Sequence, residues 1–337
     1  MQRIGTCFAA VAAGLGVLVA DAPAPAAEKI LLKIAHATAI TSVKGKTFEL
    51  FKKLVEERLK GRIEVQHFHS GQLFNAEKIL QNLPLGAVHM TADLPEIYAS
   101  LVPELNIFGQ PFIFTSPEMA RAALTDPDIG GKLEKKLAEK GIKVVSVWAN
   151  GWRVLASRRQ PIQRLEDLKG LKVRVPAGKL FIDTFKALGA NPQAMPWPEV
   201  YTALSQGVVD VVEPTPSNIY SAKLFEPAPH ITLSNQMFSG YLVMVTRRYW
   251  EGLPADVRAE LEKIVQEVTD WNWKEQQRED DEDIVKMKAT GHVHVYALSR
   301  EERKRWAEAV RPVHQQYEAV VGKDLFAALY RLAEKYQ

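Results

Sequence analysis

Arg174 stands in the stretch Gly170-Leu171-Lys172-Val173-Arg174-Val175-Pro176, an alternating run that reads as a short strand closed by a proline. Val173 and Val175 fall on one face, Lys172 and Arg174 on the other. The turn Pro176-Ala177-Gly178 follows at once, so the planar fork of the arginine can be presented into a cleft. A guanidinium so placed can hold both oxygens of a carboxylate. The same residue on an exposed edge strand would form a surface ion pair, and this stretch alone leaves both readings open. Other residues able to do chemistry are less pointed. His67 and His69, and His292 and His294, share strand faces at i, i+2 spacing without a Cys or Asp at ligand spacing, so they read as strand-face residues rather than metal ligands. Arg278-Glu279-Asp280-Asp281-Glu282-Asp283 reads as the solvated acidic face of a helix. Gly-x-Ser-x-Gly, His-Glu-x-x-His, phosphate-loop and Cys-x-x-Cys motifs are missing. That weakens the case for an enzyme but leaves open one that works through a pair of carboxylates, which carries no sequence signature.

Residues that act together in a cleft must be positioned by elements, and the chain is long enough to supply two sets of them. Its 337 residues, 47% hydrophobic and 25% charged, allow about two domains. A formal net charge of +3 without a long basic block carries no nucleic-acid footprint. The start Met1-Gln2-Arg3, the uncharged run from Ile4 to Ala20 and the small-residue site Ala24-Pro25-Ala26 predict a cleaved secretory signal peptide over residues 1–26. A membrane anchor is the alternative, but the run is short and ends in a cleavage site. Cleavage would remove Cys7, the only cysteine, leaving an exported protein without disulfides. Such a chain must be stabilised by a large buried core.

Ile30 to His36 reads as a buried strand, Ser42 to Leu59 as a helix, and Arg62 to Phe68 as a second strand, which together make a right-handed crossover unit. A short helix capped by Asn75 leads through Gly86 to a strand around Met90. Helices follow from Pro117 to Lys140 with a break at Asp126-Pro127, then a strand from Ile142 to Ala149 and another from Trp152 to Ser157. Val208 to Val212 reads as a buried strand after Gly207, and Gly240 to Thr246 as another. From Pro254 to about Ala289 one unbroken helical pattern runs longer than a compact domain requires, so it is expected to brace two lobes. A strand from His292 to Leu298 and two closing helices from Glu301 to Tyr336 complete the chain. Strands alternating with helices make this an α/β protein with largely parallel sheets.

With these elements in place, the chain resembles the solute-binding subunits of tripartite ATP-independent periplasmic (TRAP) transporters, DctP-type family. The resemblance is carried by Gly170 to Pro176, by Met195-Pro196-Trp197-Pro198-Glu199-Val200-Tyr201 through Asp210, and by Glu213. Gly71-Gln72-Leu73, Gly86-Ala87-Val88, Leu105 to Phe112 and Gly151-Trp152-Arg153 add to it, and it covers nearly the whole chain after the leader. It implies a two-lobed periplasmic-binding-protein fold with a hinge. Lobe I would hold residues 27–150 plus about 239–278, and lobe II residues 151–238 plus about 279–337. It also implies a periplasmic, non-enzymatic protein that needs no cofactor, closes on a small organic acid and delivers it to membrane subunits of a TRAP transporter.

The resemblance assigns the carboxylate grip to Arg174. Arg153 matches an assisting basic position, or pairs with Glu213 or another cleft carboxylate. Trp197 matches an aromatic position against the ligand, with lobe packing as the alternative, and Trp152 is placed near the cleft. Glu213 matches an acidic position at a strand end, and His36 and Asp93 are the candidates from the first lobe. The chain departs from many relatives at Glu213-Pro214-Thr215-Pro216, where Pro214 replaces an asparagine that helps bind the carboxylate in some of them. A receptor serving an ABC-type transporter or a sensor is the runner-up among binding proteins, and a secreted hydrolase is the runner-up among enzymes.

Overall fold

Among the described residues, two sheets are assembled from eleven strands, numbered in chain order: β1 (Ile30–Ala35), β2 (Ile63–Phe68), β3 (Met90–Asp93), β4 (Ile142–Trp152), β5 (Leu155–Ser157), β6 (Lys172–Val175), β7 (Asn191–Ala194), β8 (Val211–Val212), β9 (His230–Leu233), β10 (Phe238–Thr246) and β11 (His294–Ala297). The computed structural model describes residues 29–336, so the expected leader over 1–26 lies outside the described residues. The first sheet runs β2-β1-β3-β10-β4 and the second β11-β9-β5-β8-β6-β7. Each contains one reversed strand: β10 is antiparallel to β3 and β4, and β5 to β8 and β9. The remaining pairs are parallel, as the alternation of strands and helices predicts. All nine residues of β10 are buried, which explains why it reads as a continuous apolar run.

Local chemistry sets the helix starts. The Ser42 side chain accepts a hydrogen bond from the Gly45 N–H and opens the helix Val43–Arg58, which buries Phe48, Phe51 and Val55 against the first sheet. Asn75 caps the helix Ala76–Asn82 in the same way, through the Lys78 N–H. The expected bracing helix runs from Ala255 to Ala289. Its 35 residues span about 52 Å at 1.5 Å per residue. It packs on the helix Val43–Arg58 and β4 of the first lobe, and on the helix Pro216–Ser221 and β11 of the second. Among the described residues no helix is long and apolar enough to cross a membrane.

Several expectations change. The acidic run of the long helix is only partly solvated, because Glu279 and Asp283 are buried. They continue a stripe of Thr269, Asn272 and Gln276 at helical spacing, so the inward face turns from apolar to polar along the helix. Val208 is half exposed; after the left-handed cap at Gly207 the chain reaches the sheet only at Val211. Three helices close the chain, Arg300–Ala309, Arg311–Val321 and Lys323–Glu334, with Gly322 at φ +104° separating the last two. The final helix rests on Pro117–Thr125 and on the 3-10 segment Pro103–Gly109, both of the first lobe. The tail therefore straddles the lobes instead of belonging wholly to the second.

The lobes are joined where β4 gives way to β5, where β9 gives way to β10, and along the long helix. Arg153 N–H donates to the Met237 carbonyl, tying the first two crossings together, and Val154 N–H donates to the Pro214 carbonyl. Gly151, on the first crossing, has φ +104°, and a Cβ there would lie 2.2 Å from Asp280 Oδ2 on the long helix. Gly151→Ala is expected to cost roughly 1–3 kcal/mol and lower the melting temperature by roughly 2–10 °C. Scanning calorimetry of the two proteins checks this, and an unchanged transition would show that the crossing is not held in this conformation.

Candidate ligand-binding site

In parallel sheets, polar side chains at the carboxyl ends of strands converge on a common crevice. Here Asp93 is the last residue of β3, Asn150 lies near the end of β4, Arg174 near the end of β6, and Glu213 directly follows β8. Between the lobes lies a cavity of about 70 Å³. That is several times the space one water needs. Asp93, Asn150, Arg153, Arg174, Trp197 and Tyr241 are among the residues that line it.

Arg174 is 3% exposed. Its Nε and Nη2 donate to the Met195 carbonyl at 3.0 and 2.6 Å, and its guanidinium lies 5.4 Å from the centre of the Trp197 ring. Nη1 makes no hydrogen bond to any described residue, and no carboxylate of a described residue lies within ion-pair distance. Burial lowers its pKa to about 10, so the group remains a cation at neutral pH. One edge of the fork is fixed by a carbonyl; the edge that remains can take a carboxylate.

Arg153 and Lys44, the other cations that line the cavity, are paired. Arg153 holds Glu213 through Nε and Nη2, and its Nη1 donates to Ser239 Oγ at 3.3 Å. Lys44 Nζ donates to the Ala92 carbonyl at 2.8 Å, contacts Asp93 Oδ1 at 3.4 Å and sits 4.1 Å from the centre of the Tyr241 ring. Burial raises the pKa of Asp93, an effect that Lys44 and the Thr91 hydroxyl oppose. A neutral network completes the wall. Asn218 Nδ2 donates to Asn150 Oδ1 and Thr215 Oγ1, and Tyr241 Oη donates to Asn150 Oδ1 at 2.7 Å.

The structure thus brings Arg174, Arg153, Trp197 and Asp93 to one cavity, with Glu213 behind Arg153 as its counter-ion. Two expected residues lie elsewhere. His36 is fully buried in the first lobe, stacked on Phe48 at 5.4 Å, with its ring nitrogens engaged by Thr38 and His67; the residues that follow it, Ala37 and Thr38, reach the cavity instead. Trp152 precedes Arg153 on an extended segment, where neighbouring side chains point to opposite sides. It lines a separate hollow with Phe238 and Trp273. Lys44, Glu77, Asn150, Asn218 and Tyr241 were not anticipated. Asn150 had a legible signal, a polar residue closing a buried strand, whereas Asn218 lies four positions beyond the noted Pro214 and is brought in only by the turn of the helix Pro216–Ser221.

A larger hollow of about 310 Å³ lies on the first lobe, but mainly Leu, Val and Gly residues form it. Its charged members, Arg121 and Glu134, are only half-buried. Among the described residues no group of three or more His, Cys, Asp and Glu is placed to hold a metal ion.

Comparison with known proteins gives a consistent picture. Residues 34–319 match the family of bacterial extracellular solute-binding proteins, family 7 (DctP). The chain is 36% identical over 304 residues to the C4-dicarboxylate-binding periplasmic protein DctP of Rhodobacter capsulatus, covering 90% of this chain and 91% of that one. Among solved structures, it is similar to the sugar acid binding protein of Advenella mimigardefordensis in complex with galactonate, with TM-score 0.88, 28% identity, and 92% and 99% of the two chains covered. It is also similar to a TRAP periplasmic solute binding protein of Sulfurospirillum deleyianum with bound succinate, with TM-score 0.86, 32% identity, and 90% and 99% covered.

Glu96, beside the cavity, is 3% exposed and its Oε2 has no hydrogen-bond partner. Burial pushes its carboxyl up to about 7. The unfolded group releases its proton near pH 4.5 and the folded one near 7, so folding takes up a proton between these values. Stability accordingly falls as the pH rises through that window. Glu96→Gln removes the penalty, and is expected to match the parent near pH 4.5 and exceed it by on the order of 3 kcal/mol above pH 7. Denaturant titrations at the two pH values check this; an equal difference at both would refute it.

Proposed function

Since the chain belongs to the DctP family, the bacterial extracellular solute-binding proteins of family 7, we propose that it captures a small organic acid between its lobes through Arg174 and delivers it to the membrane subunits of a TRAP transporter. The observation that carries this reading is a buried guanidinium with a free edge on an inter-lobe cavity and no carboxylate of its own. Buried charges are normally paired. A ligand carboxylate supplies the missing anion, and the Met195 carbonyl and Trp197 ring hold the fork in place to receive it. Arg153 is held by Glu213 and acts as a wall of the cavity, adding positive potential without offering an unpaired charge. Similarity to proteins described with succinate and with galactonate supports the same class of ligand. Family membership places the protein outside the cytoplasm, and we infer the periplasm, with residues 1–26 as the export signal.

Capture between lobes requires that they open and close about the crossings near Gly151 and Met237. Arg174→Ala should weaken binding of the tightest acid among succinate, malate and galactonate by about 30- to several-thousand-fold, equivalent to ~2–5 kcal/mol. Arg174→Lys should also bind poorly, because a point charge cannot replace the fork. Isothermal titration calorimetry decides it: near-native affinity in Arg174→Ala sinks the assignment. Closure itself is read by small-angle scattering and intrinsic fluorescence. The bound form should have a smaller radius of gyration, with a fluorescence change largely lost in Trp197→Phe. Saturating acid that altered neither signal would instead indicate a rigid preformed pocket.

A further inference from the structure

Glu77 is the counterpart of Arg174 on the opposite lobe. It sits in the first turn of the helix Ala76–Asn82 and lines the same cavity. Its Oε2 is buried and makes no hydrogen bond, and the residue forms no ion pair with any described residue. A place in the first helical turn favours an acidic residue electrostatically. It does not account for a carboxylate oxygen that is buried without a donor. Arg153 is already matched by Glu213 and Lys44 by Asp93. What remains among the described residues is one cation, Arg174, and one anion, Glu77, both lining the cavity without a partner.

We propose that Glu77 selects the class of acid by accepting hydrogen bonds from ligand hydroxyls, so that the cavity favours a hydroxylated monocarboxylate, such as a sugar acid, over a plain dicarboxylate. The inference rests on the reading of this cavity as an acid site with the carboxylate at Arg174. A hydroxylated monoacid satisfies both unpartnered groups at once: its carboxylate meets the guanidinium, and its hydroxyl hydrogens meet Glu77. Succinate would satisfy only Arg174 and would bring a second carboxylate toward Glu77. Lys44 offers that carboxylate little relief, since its ammonium is already held by Asp93 and the Ala92 carbonyl. Two like charges in a site of low dielectric repel strongly. The cavity also has the hydroxyl-compatible neutral groups of Asn150, Asn218 and Tyr241 along its wall, with the Trp197 ring available to cover a carbon chain or ring.

Titration calorimetry of the full chain, with galactonate, gluconate, galacturonate, succinate and glutarate as probes, tests this against Glu77→Gln, Glu77→Ala and Arg174→Ala. The parent should bind at least one hydroxylated monoacid about tenfold or more tightly than either dicarboxylate. Glu77→Ala should weaken that monoacid by about 10- to 100-fold. Glu77→Gln, of the same shape but neutral, should tighten succinate or glutarate. Melting temperatures without ligand should be unchanged or higher in both variants, because Glu77 has no protein partner to lose. A preference of the parent for dicarboxylates, an equal loss for every probe in Glu77→Ala, or a fall in ligand-free stability that accounts for the loss would each overturn the assignment. Failure of the underlying reading looks different: the parent would bind none of the acids, or Arg174→Ala would bind them as well as the parent.

Discussion

Removing a guanidinium from water costs several kcal/mol even after its surroundings relax. Arg174 is buried beside a carbonyl oxygen and an indole ring, without a carboxylate. Most features of the inter-lobe region follow from keeping such a charge tolerable. The neighbouring charges are neutralised locally, Arg153 by Glu213 and Lys44 by Asp93, so that the field in the cavity is not overwhelmed by unpaired cations. Asp93, Asn150, Arg174 and Glu213 come from the carboxyl ends of strands, where a crevice opens beside the sheets.

The long helix shows how two lobes can be mobile and still registered. Its first half is held by Val257, Leu261, Ile264 and Val268 against the first lobe. Farther along, contact is made by directed hydrogen bonds: Asn272 Oδ1 accepts from Ala149 N–H, Gln276 Nε2 donates to Ser217 Oγ, and Asp280 Oδ1 accepts from Ser217 N–H. Apolar packing is non-directional and tolerates sliding. Hydrogen bonds weaken steeply with misalignment and so define an angle. The polar half of the helix lies where the crossings meet, and that is where the lobe angle has to be set.

Much of this organisation was legible in the residues, for reasons that also explain what was not. A buried strand such as β10 is a largely apolar run, and caps such as Ser42 and Asn75 sit at fixed offsets from the helices they open. Arg174 was readable because a charged residue alternates there with valines before a proline turn. The polar stripe of the long helix was hidden because burial of Glu279 and Asp283 depends on tertiary packing that the hydropathy pattern cannot register. His36 and Trp152 were misplaced for a simpler reason. Each adjoins a cavity-lining residue in sequence, and in extended chain adjacency sends side chains to opposite sides. Glu77 went unnoticed because a glutamate in a first helical turn is ordinary until its carboxylate is found without a donor.

The single reversed strand in each sheet bears on how the chain is assembled in time. β10 lies between β3 and β4, so β4 has no neighbour in its sheet until the chain has grown through Phe238–Thr246. β5 needs β8 and β9 from far along the chain in the same way. Contacts between segments so distant in sequence are slow to form. Neither lobe can complete itself from the first half of the polypeptide. A nascent chain of this design stays loose until most of it has been made, the condition in which a polypeptide can still be threaded through a narrow channel.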